Sequence, residues 1–193
     1  MNLEIREEAI TSLDAHAALS IGFDVERVFD VDEREQGLGG LVLVERQLER
    51  SYRKDYDSIA GNSPRYWSKR FDVSSWGLLA AYRDGARVGG AVIAFDREGL
   101  MVEGRKGLGL LWDLRVTPAQ RGIGIGSQLF RAVEEWARAR GCWLLEIETQ
   151  NVNVPACRFY VRQGCSLGVI DRFAYPAFPD EVRLLWYKRL SPP

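Results

Sequence analysis

A single histidine, His16, stands in 193 residues. Proton transfer in enzymes runs most often through histidine, so acid–base chemistry in this chain falls to carboxylates and phenols unless His16 itself takes part. His16 lies among alanines in DAHAALS, a setting that reads as the surface of a short helix, and a Ser-His-Asp triad would have no other histidine to use. The three cysteines, Cys142, Cys157 and Cys165, form no CxxC pair and are odd in number, which argues against a zinc cluster or a disulfide frame, and no metal is expected. Excess charge is lacking too: 26 Lys+Arg against 27 Asp+Glu leave a formal charge of -1, so nucleic acid is not an expected partner. The longest apolar runs, LGLLW at 108–112 and GGAVIAF at 89–95, fall far below the roughly 20 residues of a membrane span. MNLEIREEAI lacks a signal-peptide pattern, and a cytoplasmic protein without a membrane partner is expected.

What is present suits one α/β (α+β) domain over 1–193, since 46% hydrophobic residues can fill a single core at this length. An edge strand is expected at Asn2–Arg6 and a short helix near Asp14–Ser20. LVLVE alternates as a strand, and the charged continuation RQLERSYRKDYD reads as a solvated loop. Pro64 opens a short helix through RYWSKRF. GLLAAY and RVGGAVIAF flank Arg83-Asp84-Gly85, whose Asp-Gly pair signals a hairpin. After a loop through GLMVEGRKG come a strand, LGLLWDLRV, and a helix, SQLFRAVEEWARAR. In that helix Leu129, Val133 and Trp136 recur at helical spacing, Glu134 and Arg138 can pair, and Gly141 suits the C-terminal cap. WLLEIET is the next strand, Pro155 opens a helix that Gly164 ends, and CSLGVID and VRLLWYKRL are the last strands.

Between the strand ending in Val116 and the helix sits RGIGIG, Arg121–Gly126. The dinucleotide fingerprint G-x-G-x-x-G fails, because Ser127 or Leu129 falls where its last glycine belongs. The phosphate loop G-x-x-x-x-G-K-[ST] fails because no lysine follows Gly126. A bare glycine loop at a helix N-terminus remains, where unpaired N–H groups and the helix dipole favour an anion such as a pyrophosphate; a tight turn without a ligand is the plain alternative.

RGIGIG has the form [RQ]-x-x-G-x-[GA], with Arg121, Gly124 and Gly126 at the defining positions, and resembles the acetyl-CoA pyrophosphate loop of the GNAT superfamily of N-acetyltransferases. A second block, N-x-x-A-x-x-F-Y-x-x-x-G, is matched by Asn153, Ala156, Phe159, Tyr160 and Gly164. Cys165 replaces the phenylalanine usual after that glycine. The resemblance covers about 78–188. Within the superfamily ETQNVNVPACRFYVRQGC, KDYD at 54–57, RYWSKRFDVSSWG and DEVRLLWYKRL resemble streptothricin acetyltransferases, which acetylate an amine of the β-lysine part of an antibiotic.

The resemblance implies a single GNAT-like domain: a mixed, mostly antiparallel sheet, splayed between two parallel strands at the acetyl-CoA site and flanked by helices. Residues 1–75 would form a variable acceptor-side half and 76–190 the acetyl-CoA-binding half. It implies acetyl-CoA as cosubstrate, held by Leu114, Arg115, Val116, Arg121, Gly122, Ile123, Gly124, Ile125, Gly126, Ser127, Asn153 and Tyr160. The acceptor is expected to be a small-molecule primary amine, the reaction direct transfer, and the protein a monomer or homodimer. Acetylation of a protein N-terminus or lysine is an alternative, as is a non-catalytic acyl-CoA-binding module.

A protonated alkyl amine, with a pKa near ~10.4, is no nucleophile, so transfer from a thioester needs a proton acceptor. Glu148 shares a strand face with Leu144 and Glu146, and similar spacing occurs in superfamily members that use a glutamate here. Asp113 is the rival, with a pairing to its same-face neighbour Arg115 as its structural reading, and a remote base acting through water is the third possibility. A main-chain N–H near Val116 would stabilise the developing oxyanion. By resemblance, Tyr160 donates the proton to the leaving thiolate. Cys157 and Cys165 have no histidine to activate them, which favours direct transfer. For a cationic acceptor, Asp171, Asp180 and Glu181 supply charge, and Trp67, Trp76, Phe173 and Tyr175 supply flat surfaces.

Overall fold

The computed structural model describes residues 2–95 and 107–190. The loop expected at 99–107 lies outside these but for Gly107. Thirteen elements follow in chain order: β1 (Leu3–Glu8), α1 (Leu13–Ala17), β2 (Phe23–Glu33), β3 (Leu41–Lys54), α2 (Trp67–Arg70), β4 (Gly77–Arg83), β5 (Ala86–Phe95), β6 (Leu108–Val116), α3 (Ile125–Ala139), β7 (Leu144–Gln150), α4 (Val154–Arg162), β8 (Ser166–Asp171) and β9 (Arg183–Arg189). Seven strands form one mixed sheet in the order β1-β4-β5-β6-β7-β9-β8, with β6 and β7 parallel. This is a GNAT-like α/β domain. A parallel pair needs a crossover, and α3 lies between β6 and β7 in the chain to supply it. No helix among the described residues is long and apolar enough to cross a membrane.

The residues group into two compact units, one of 1–22, 55–146 and 189–193, the other of 23–54 and 147–188. In the first, β1, β4, β5 and β6 run antiparallel in succession, and Asp84 and Gly85, both with positive φ, make the expected tight turn between β4 and β5. Helix α3 buries Ile125, Leu129, Phe130, Val133 and Trp136 on one face. The fit is close at Gly89, where a Cβ would stand 3.0 Å from Leu129 Cδ1. The other face of the sheet takes α1: a Cβ on Gly90 would lie 2.6 Å from His16 Nδ1. Leu13, Trp67, Trp76, Leu78, Val92, Ala94 and Leu110 form a buried cluster with Trp112 and Phe71 against it. Glu134 and Arg138 pair at 3.3 Å, and Gly141 follows α3 with φ +76°.

In the second unit, β2 and β3 form a separate two-stranded ribbon. The stretch RQLERSYRK is therefore strand and not the loop expected: β3 runs from Leu41 to Lys54 and pairs antiparallel with β2, with cross-strand ion pairs such as Arg46–Asp30 and Arg27–Glu45 between them. Helix α4 begins at Asn153, whose side-chain oxygen accepts from Ala156 N, and Gly164, with φ +77°, follows its end. Strands β8 and β9 pair antiparallel. All three cysteines are buried thiols, and burial pushes Cys157 up to about 11.

Candidate active site

The first unit carries Asp113, Arg115 and the glycine loop. A bulge at Trp112, where the register passes from Ile93↔Leu111 to Val92↔Asp113, resets the alternation of β6. Asp113 and Arg115 then share one face, both buried. Arg115 grips Asp113 through Nε (2.8 Å) and Nη2 (2.6 Å). Its Nη1 also donates to Asp57 (2.8 Å) and to the Leu19 carbonyl (3.0 Å). His16 Nε2 lies 2.8 Å from Asp113 Oδ1.

His16 is thus not on a helix surface: it is wholly buried, accommodated by the missing side chain of Gly90 and partnered by a carboxylate, and its Nδ1 has no hydrogen-bond partner among the described residues. Burial alone would raise the Asp113 carboxyl. The Arg115 charge and the hydrogen bonds from Arg115 and His16 outweigh it, and Asp113 sits well below the usual carboxylate range. Arg115 is held above its ordinary value, because Asp113 and Asp57 outweigh its own burial. At neutral pH this carboxylate is ionised and already receives three N–H groups.

Arg121 opens the glycine loop, and its guanidinium is bound to three carbonyls: Val116 (2.9 Å), Gly22 (3.1 Å) and Ser20 (3.2 Å). Gly122 and Gly124 have φ of +80° and +92°, and a Cβ at either would meet nothing within 4 Å. Gly124 is the N-cap of α3, with no side-chain cap. The two isoleucines divide their tasks: Ile125 is buried toward Gly89, and Ile123 is 55% exposed. Gly126 and Ser127 lie in the first turn of α3, and Leu114 and Val116 flank Arg115 on β6. The loop therefore presents bare main chain at an uncapped helix start, which fits an anionic group such as a pyrophosphate.

The second unit carries Glu148, Asn153 and Tyr160. On β7, Thr149 turns inward to Trp186 Nε1 (2.8 Å) and Cys157 Sγ (3.4 Å). Glu148 and Gln150 point the other way and meet Tyr175: its hydroxyl donates to Glu148 Oε1 at 2.6 Å and accepts from Gln150 Nε2 at 2.9 Å. Burial and then the Glu148 charge push the Tyr175 phenol above its ordinary value, so it keeps its proton. Asn153 is occupied as the α4 cap, and Tyr160 is buried on that helix with its ring edge-on to Phe159 at 5.1 Å.

Of the residues considered for a cationic acceptor, Asp171 pairs with Arg183 and Glu181 with Lys54. Trp67 and Trp76 are core residues, whereas Phe173 is 84% exposed. Sequence reasoning missed three partners: His16 and Asp57 for the Asp113–Arg115 pair, and Tyr175 for Glu148. It also missed Asn151, buried after β7, whose side chain accepts from Val182 N (2.8 Å) and donates to the Phe29 carbonyl (3.0 Å). No periodic or spacing signal marks any of these contacts.

The model of the GNAT acetyltransferase family matches residues 42–165. The chain belongs to the GNAT family. It is an acyltransferase that uses acetyl-CoA as acetyl donor. Among its relatives, the streptothricin acetyltransferase of Escherichia coli is 32% identical, the match covering 95% of this chain and 92% of that one. That of Streptomyces lavendulae is 29% identical, covering 90% and 84%. Streptothricin acetyltransferase A of Bacillus subtilis is 34% identical over 83 residues, which is 42% of this GNAT chain and 48% of that protein. Among solved structures, nourseothricin acetyltransferase superposes with a TM-score of 0.77 at 25% identity, covering 99% of this chain and 100% of that one. A Bacillus anthracis protein solved in complex with acetyl coenzyme A shares the fold at a TM-score of 0.76 and 22% identity, with 99% of each chain covered.

Proposed function

We propose that this acetyltransferase transfers the acetyl group of acetyl-CoA directly to a primary amine of a streptothricin-type antibiotic, with Glu148 as base and Tyr160 as acid. The full-length match to streptothricin acetyltransferases supports the acceptor. One observation carries the assignment of the base: Asp113 is buried, strongly acidic and already bound by Arg115 and His16, whereas Glu148 is only partly buried and held by a neutral phenol. A base must take up a proton near neutral pH, and a carboxylate pinned by a guanidinium resists that.

In this reading the main chain of Leu114, Arg115 and Val116 and of Arg121–Ser127, with Asn153 and Tyr160, holds the cosubstrate, whose thioester supplies the activated acetyl group. Gly122 and Gly124 keep the loop bare. Arg121 fixes the loop by its three carbonyl bonds. The Glu148 carboxylate accepts a proton from the acceptor ammonium and frees its nitrogen lone pair. The Tyr160 hydroxyl gives a proton to the departing thiolate, whose conjugate acid has a pKa of roughly 8.5 if it resembles cysteine. Residues 1–75 serve the acceptor, 76–190 the cosubstrate. The enzyme acts in the cytoplasm, as a monomer or homodimer, without nucleic acid or membrane as partner.

The test compares coenzyme A release with streptothricin, aminoglycosides, polyamines and N-terminal peptides as acceptors. Streptothricin is expected to give the highest kcat/KM, and preference for a peptide would overturn the acceptor. Glu148→Gln is expected to lower kcat at neutral pH and to recover in part at about pH 9 to 10, where an alkyl amine begins to lose its proton unaided. The same recovery in Asp113→Asn, with a wild-type profile in Glu148→Gln, would reverse the two roles.

A further inference from the structure

Tyr175, whose hydroxyl bonds Glu148, stands on the stretch 172–182 between β8 and β9, and the proposed mechanism gives that stretch no step. Two turns shape it, Phe178 N donating to the Tyr175 carbonyl (2.9 Å) and Glu181 N to that of Phe178 (2.9 Å). Its far end is fastened three times. Asn151 bonds the main chain of Val182 and Asp180, Asn151 N donates to the Val182 carbonyl (3.0 Å), and Lys54 pairs with Glu181 while lying 4.4 Å from the centre of the Phe178 ring. A segment held this way presents Tyr175 in a fixed place. From there the hydroxyl is the middle of a directed chain: Gln150 Nε2 donates to it, and it donates to Glu148 Oε1.

We propose that Tyr175 is a positioning residue for the reaction, the hydroxyl that fixes the rotamer of the Glu148 carboxylate and tunes its basicity. The proposal rests on Glu148 being the base. A carboxylate on a flexible two-carbon stem has several rotamers, and a hydrogen bond of 2.6 Å to one oxygen selects one of them and so fixes the direction of the carboxylate. A donor to the charged form also makes the carboxylate a weaker base than it would be alone. Arg183 of β9 is a second charged group acting on Tyr175, and it is itself paired with Asp171 of β8 at 2.7 Å. Gln150 completes the arrangement by directing the phenol proton toward Glu148 and away from its own amide.

The experiment is a pH–rate series on four proteins: wild type, Tyr175→Phe, Glu148→Gln and the double variant, with Gln150→Met as a milder second probe. Tyr175→Phe keeps the ring and removes only the hydroxyl. Expected are a fall in kcat of roughly three- to thirtyfold at neutral pH with KM for acetyl-CoA unchanged, and an acid limb moved up by about one pH unit. The double variant should be no slower than Glu148→Gln, since a group acting through Glu148 has nothing left to position. Gln150→Met should move the limb in the same direction by less. A Tyr175→Phe profile that overlays wild type, or losses that add in the double variant, overturns the proposal while leaving Glu148 as base. A wild-type profile in Glu148→Gln refutes the base assignment instead, so the two failures are distinct. Should Tyr175→Phe not fold by circular dichroism, Gln150→Met decides: an unmoved limb there counts against the proposal.

Discussion

At the scale of single residues, two carboxylates that look alike in the sequence have opposite surroundings. Asp113 is committed to Arg115 and His16, and removing it leaves a buried guanidinium with Asp57 as its remaining acid. Asp113→Asn should cost about 3 kcal/mol of stability, measured by urea unfolding at pH 7. The pH dependence follows from the sign of the shift. The native carboxyl is more acidic than the unfolded one, so the unfolded state binds more protons between the two pKa values and stability falls as the solution is acidified. Wild type should hold the full contribution above about pH 5 and lose it progressively below the unfolded value near ~3.9, and Asp113→Asn should show a flatter acid limb. A variant as stable as wild type at pH 7 would mean that Arg115 is satisfied without Asp113. The same-face pairing of 113 with 115 was legible, because alternation in a strand predicts it. The place of His16 was not: DAHAALS carries no mark of the space left by Gly90, and a contact between residues 97 apart is invisible to local pattern.

At the scale of elements, α3 and its glycine loop were the most legible part, since period, cap and loop agreed. The structure adds why the loop alternates glycine with isoleucine: Gly122 and Gly124 take a left-handed backbone in open space, and Ile125 anchors the helix start in the core. Gly124→Val should raise the acetyl-CoA dissociation constant at least about tenfold by placing a branched side chain where the backbone has φ +92°. Calorimetry giving wild-type affinity in a variant that circular dichroism shows folded would exclude the loop from binding. The ribbon of β2 and β3 was the least legible. In β2 the buried Phe23, Val25 and Val28 are separated by charged residues at no single strand period, and the second half of β3, ERSYRK, has no apolar alternation to mark it as strand. Its cross-strand ion pairs join residues far apart in the chain, and only the fold supplies their partners.

At the scale of the whole molecule, the chain passes between its two units at Gly22/Phe23, Lys54/Asp55, Glu146/Ile147 and Lys188/Arg189, so neither unit is one continuous piece of sequence. The buried cysteines turn that division into something countable. Cys142 belongs to one unit, and Cys157 and Cys165 to the other. A thiol reagent such as dithionitrobenzoate should find no reactive sulfur in the native protein, which gives a silent background for colorimetric detection of coenzyme A. Under rising denaturant the stoichiometry becomes a report on order. One equivalent of nitrothiobenzoate appearing ahead of the others marks the first unit as opening first, two equivalents ahead mark the second, and three together mark a single cooperative event, the outcome expected for units threaded by one chain. Rapid labelling of native protein would contradict the burial from which the count is made.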